Sequence, residues 1–130
     1  MVKVLYVEDE PAQRELVNQL LLLIGIDIQL AENGIQGLEK ARTWMPDVIL
    51  MDLRMPGMNG FETIERLKEI PETADIPIII LSAWTSARLN ERADALGVYR
   101  CVNKPFDLNE LVEAIESVPS VNRGDVALLP

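Results

Sequence analysis

The chain has 130 residues, 48% of them hydrophobic, with a formal net charge of −9, one cysteine and no histidine. That is one domain with a sizeable core and no room for a second of full size, and its acidity weighs against nucleic acid as a partner. The composition excludes an intrachain disulfide, a histidine-dependent triad and a histidine-ligated zinc site.

Residues 4–7 form an apolar run that reads as a buried strand. It meets Glu8-Asp9-Glu10 too soon for a signal sequence or a membrane span, so a cytoplasmic chain without a membrane segment is expected. A helix follows over residues 11–24, with Asp9 or Glu10 near its cap, Pro11 in its first turn and Gly25 as its stop. Residues 26–30 are more mixed, as in an edge strand. Asn33 can cap a second helix that runs to Trp44 and ends at Met45-Pro46. The third strand is predicted over residues 48–51 and the third helix from Gly60 to about Ile70, ended by Pro71. A fourth strand (residues 76–81) and helix (residues 86–96, Gly97 as C-cap) come next. A fifth strand covers residues 98–102, and Asp107 caps a helix over residues 108–118. The domain is expected to span residues 1–118, and residues 119–130 to be a tail or truncated linker.

Five strand-then-helix units predict an α/β fold: a parallel sheet with helices on both faces, its chemistry at the carboxyl ends of the strands. The polar residues fall there. Glu8 and Asp9 follow the first strand, Asp52 the third, Ser82 the fourth and Lys104-Pro105 the fifth. At about 4 Å and an effective dielectric of about 20, each carboxylate pair costs on the order of 4 kcal/mol. Lys104 alone cannot offset that, so the cluster predicts a hard divalent cation such as Mg²⁺, to which the Arg54 carbonyl offers a further oxygen. A metal beside a strand-end Asp, a hydroxyl and a Lys suits phosphoryl transfer. Asp52 can act as nucleophile and form an acyl phosphate, with Mg²⁺ and Lys104 stabilising the equatorial oxygens. Ser82 Oγ and backbone amides after Asp52 and near Ala83 are candidate donors to the phosphoryl oxygens.

Four motifs stand in order: Val4-Leu5-Tyr6-Val7-Glu8-Asp9-Glu10, then Ile49-Leu50-Met51-Asp52-Leu53-Arg54-Met55-Pro56-Gly57-Met58-Asn59-Gly60, then Ile79-Ile80-Leu81-Ser82-Ala83, and Asn103-Lys104-Pro105-Phe106. With them the chain resembles, over roughly residues 3 to 118, the receiver domain of bacterial two-component response regulators. The resemblance implies a flavodoxin-like, three-layer, doubly wound five-stranded parallel sheet in the order 2-1-3-4-5. It implies a response regulator phosphorylated on Asp52, with Asp9, Asp52 and the Arg54 backbone carbonyl as direct ligands of Mg²⁺ (Mn²⁺ as a substitute) and Glu8 acting through metal-bound water. Ser82 would be the switch hydroxyl, Lys104 would contact the phosphoryl group, and the Lys104-Pro105 peptide is often cis. Such a domain is not an enzyme acting on others; it catalyses only its own phosphorylation and dephosphorylation. Implied partners are a histidine kinase or histidine phosphotransfer protein and a downstream protein target or effector domain, with the chain a monomer or a phosphorylation-linked dimer. The surface around the fourth helix, fifth strand and fifth helix would report phosphorylation.

The chain departs from the family's pattern in places. Cys101 stands three residues before Lys104, where the family usually has Tyr or Phe; Tyr99 shares its face if the strand is regular. Glu8 replaces the commoner Asp. Arg54 and Trp84 are expected to restrict water and slow loss of the phosphoryl group. Met51, Met55 and Met58 read as packing around a loop. Leu20 to Leu23 make the first helix apolar all round, so some of these leucines, and Val17, are expected at the surface. They are either a docking patch for the kinase's histidine-bearing helix or a generously apolar core helix. Two rivals remain: a weakly switching or pseudo-receiver interaction module, and a phosphatase with an aspartyl nucleophile, which wants a second Asp where Arg54 stands.

Overall fold

The strand runs are short and rich in Val, Ile and Leu, and they pair side by side. In the computed structural model, which describes residues 2–53, 60–83 and 87–122, these runs are β1 (Lys3–Val7), β2 (Asp27–Ala31), β3 (Val48–Asp52), β4 (Ile78–Ser82) and β5 (Arg100–Asn103). They form one parallel sheet in the order β2-β1-β3-β4-β5, the expected order. β3 and β4 are buried along their whole length, as central strands covered on both faces must be. β2 is the half-buried edge strand that its mixed sequence predicted.

Alternation along the strands divides the core in two. Val4, Tyr6, Leu50, Leu81 and Val102 face α1 (Pro11–Leu23) and α5 (Leu108–Glu116), packing against Val17, Leu21, Leu111 and Ile115. Leu5, Val7, Ile49, Met51 and Ile80 face α2 (Gly34–Trp44), α3 (Gly60–Glu69) and α4 (Ala87–Ala95), packing against Ala41, Ile64, Leu67 and Ala93. Met51 is thus a core residue of β3, while Met55 and Met58 lie outside the described residues. Among the described residues no helix is long and apolar enough to cross a membrane.

Local chemistry sets the helix ends. Glu10 caps α1, accepting from the amides of Ala12 (3.2 Å) and Gln13 (2.7 Å), while Asn33 and Asp107 cap α2 and α5. Gly25 and Gly97 take positive φ and close α1 and α4. Those closures shift three predicted strand starts. The amides of Ile26 and Val98 bond back to Leu21 and Ala93, and Ile76 closes a turn onto Thr73. Pro77 has no N–H to offer the ladder. β2, β5 and β4 therefore begin one or two residues later than their apolar runs. Ser86, the predicted start of α4, lies outside the described residues.

Two further expectations are revised. Val17 is buried, because it lies on the stripe of α1 that meets the sheet; Leu16, Leu22 and Leu23 are the exposed large apolar residues of that helix. Past α5 the chain forms a short α6 (Pro119–Asn122), and Val121 packs into the core beside Val118.

Candidate functional site

Parallel strands all present their carboxyl ends at one edge. β1 delivers Glu8 and Asp9 there, β3 ends in Asp52, β4 ends in Ser82, and β5 leads into Lys104. The register ties them together: Asp52 pairs with Leu81, Ser82 pairs with Asn103, and the Lys104 amide donates to the Ser82 carbonyl at 2.8 Å. Alternation then sorts the side chains. Glu8 follows Tyr6 and Asp52 follows Leu50 on the α1–α5 face, and Ser82 follows Ile80 on the other.

Glu8, Asp52 and Ser82 are buried, and Asp9 is half-buried. Carboxylate oxygens of Glu8, Asp9 and Asp52 lie within 4.8 Å of one another. Lys104 Nζ reaches in from β5, 3.2 Å from Glu8 Oε1 and 3.5 Å from Asp52 Oδ1. The Lys104-Pro105 peptide is cis. Burial raises the Glu8 carboxyl above its ordinary range, and Asp52 adds to that while Lys104 opposes it. Asp9 is raised too, by burial and then by Glu8. Three carboxylates facing one ammonium make a strained electrostatic balance. A hard divalent cation fits this all-oxygen set and would relieve it.

The first residue of α3 packs on the backbone at the end of β3. A Cβ on Gly60 would lie 2.7 Å from Leu53 Cα and 2.8 Å from the Asp52 carbonyl oxygen, so only glycine allows that approach. Arg54 and Trp84, expected to shape the mouth, fall outside the described residues.

Two residues to which the sequence motifs give no role also meet the site. Tyr6 donates its hydroxyl to Glu8 Oε1 at 3.1 Å, and burial followed by the Glu8 charge holds its phenol far above the usual range. The signal was its position two residues before Glu8 on the same strand face. Arg14 donates to the Glu8 carbonyl at 2.8 Å and lies 3.6 Å from Glu32, linking α1 to the ends of β1 and β2. The condition for a shared face of Tyr99 and Cys101, a regular strand over both, is not met. Tyr99 lies before β5, and its hydroxyl donates to the Ser117 carbonyl oxygen at the end of α5. Cys101 packs on the opposite face, half-buried against the layer of α3 and α4, so the two do not share a face.

Residues 4–116 match the family model described as the response regulator receiver domain. The chain is 33% identical over 118 residues to the DNA-binding dual master transcriptional regulator RpaA of Synechocystis, which covers 91% of this chain but only 49% of that protein. It spans about half the length of that relative. Among solved structures, chemotaxis protein CheY4 of Vibrio cholerae superposes with a TM-score of 0.87 at 31% identity, covering 91% of this chain and 98% of that one. The receiver domain of sensor histidine kinase PA1611 of Pseudomonas aeruginosa, with a magnesium ion coordinated in its active-site cleft, superposes at 0.81 and 28% identity, covering 88% and 94%.

Proposed function

This chain belongs to the response regulator receiver domain family, and from that membership we propose that Asp52 is its phosphoacceptor. Its role is two-component signal transduction. The observation that carries the Asp52 assignment is the meeting of Glu8, Asp9, Asp52 and Lys104 at one rim.

A carboxylate oxygen of Asp52 attacks the phosphorus of a partner's phosphohistidine, or of a small acyl phosphate. The bond from phosphorus to the donor breaks: a departing imidazole nitrogen keeps the electron pair and takes a proton, and a departing acyl carboxylate keeps the pair as its negative charge. Lys104 turns from Glu8 toward the phosphoryl oxygens, and the Ser82 hydroxyl donates to another of them. Asp9, Asp52 and the Arg54 carbonyl would hold Mg²⁺, or Mn²⁺ in its place, with Glu8 acting through water. When bound, the metal supplies neutralisation of the charge on the transferring group. Hydrolysis of the acyl phosphate resets the domain. Catalysis is confined to its own phosphorylation and dephosphorylation, because Arg54 stands where a phosphatase needs its acid.

The donor is a histidine kinase or histidine phosphotransfer protein, and the receiver of the signal is a protein target or effector domain. A cytoplasmic location suits such partners. The charge of −9 argues against direct nucleic acid contact by this domain. A weakly switching domain is the second reading, favoured by one observation: Cys101, not an aromatic ring, lies on the sheet face that Ser82 shares.

Incubation with acetyl phosphate and Mg²⁺, followed by intact mass measurement, tests the reading. One phosphoryl group is expected on wild type and none on Asp52→Asn or in the presence of a chelator. No adduct on wild type, even with a phosphohistidine donor, contradicts it.

A further inference from the structure

Tyr6 is fully buried in the sheet face that meets α1 and α5, yet it ends in a hydroxyl. That hydroxyl donates to Glu8 Oε1 at 3.1 Å. Lys104 Nζ approaches the same oxygen at 3.2 Å. The other oxygen, Oε2, accepts from the Glu10 amide at 3.4 Å. Two side-chain donors thus converge on one oxygen of a carboxylate that is only 1% exposed.

The donors differ in their freedom. Lys104 also lies 3.5 Å from Asp52 Oδ1 and has a flexible stem that can follow the phosphoryl oxygens. Tyr6 is a ring packed in the core and can only stay. Once Lys104 leaves, Glu8 Oε1 would be a buried charged acceptor without its ammonium, a costly arrangement unless another donor remains. Glutamate also has one more torsion than aspartate and reaches roughly 1.5 Å further, so its carboxylate needs fixing.

We propose that Tyr6 is a positioning residue for this site: its hydroxyl fixes the Glu8 carboxylate toward the metal and keeps Oε1 hydrogen-bonded when Lys104 moves to the phosphoryl group. The proposal rests on the receiver reading above. Tyr6 and Glu8 then form a matched pair. Neither is interchangeable with the shorter acid or the bare ring without the other.

A calorimetric double-mutant cycle tests this. Mg²⁺ binding to the full chain is titrated for wild type, Tyr6→Phe, Glu8→Asp and the double variant, with metal-free melting alongside. Tyr6→Phe keeps the ring, so cooperative melting is expected to persist while Mg²⁺ affinity falls about tenfold. In the Glu8→Asp background the carboxylate stops short of the hydroxyl, and Tyr6→Phe is expected to change affinity by less than about twofold. Equal losses in both backgrounds, or no loss with Glu8 present, overturn the proposal. A wild-type chain that binds no Mg²⁺ and takes no label from acetyl phosphate overturns the receiver reading itself, and the proposal with it.

Discussion

Glu8 shows how a single side chain links the site to stability. Burial, and then Asp52, raise its carboxyl above the ordinary value of 4.5. The folded chain therefore holds that proton more tightly than the unfolded chain. Stability from this source is fully present below the ordinary value and is lost as pH rises through the raised one. In metal-free thermal melts, wild type should lose stability relative to Glu8→Gln as pH climbs through that window, and Mg²⁺ should restore it on the high-pH side. Parallel melting curves for the two proteins would contradict this. Gly60 makes a second point. Gly60→Ala forces a Cβ against the Leu53 and Asp52 backbone and should cost about 1–3 kcal/mol in urea unfolding, since little there can yield. The rim positions of Asp52, Ser82 and Lys104 were legible because each lies within two residues of the end of an apolar run. Tyr6 was not, because a tyrosine inside an apolar strand looks like packing until its partner two residues on is seen. The shared face expected of Tyr99 and Cys101 required a regular strand over both, and β5 begins one residue after Tyr99.

Among the elements, α1 combines two surfaces. Val17 and Leu21 are buried against the sheet, while Leu16, Leu22 and Leu23 are exposed, Leu23 at 80%. Leu21→Arg should therefore unfold the domain and cannot report on docking. Leu23→Arg should fold, take label from acetyl phosphate at the wild-type rate, and slow phosphotransfer from a histidine donor if this patch receives the kinase helix. Unchanged phosphotransfer in that variant would leave α1 as a generously apolar core helix only. α4 is the sparsely held helix: among its residues Ala93 alone is fully buried, with Arg92 over the Phe61 ring and 3.4 Å from Glu65. Its amides should exchange with solvent faster than those of β4, where every residue is buried. Equal protection in the two would contradict that. From β1 to α5 the element types were legible from period and punctuation. Boundaries slipped where an apolar residue served helix closure instead of the ladder, as Ile26 and Val98 do.

For the whole molecule, alternating strands and helices dictated a parallel sheet, and the order 2-1-3-4-5 came from resemblance and stands in the structure. That order brings β1 and β3 together at the centre, so that Glu8, Asp9 and Asp52 converge without any one of them being close in sequence to all the rest. α6 was not legible: a four-residue helix that begins with a proline carries too little periodicity to distinguish it from a tail. The proposed destination of the phosphoryl group is a carboxylate oxygen of Asp52. After labelling with acetyl phosphate and Mg²⁺, borohydride reduces an acyl phosphate to the alcohol, which converts a phosphorylated aspartate to homoserine, and peptide mass mapping locates it. Homoserine at position 52 is the predicted result; homoserine at Asp9, phosphate retained on Ser82, or no reducible adduct would contradict it.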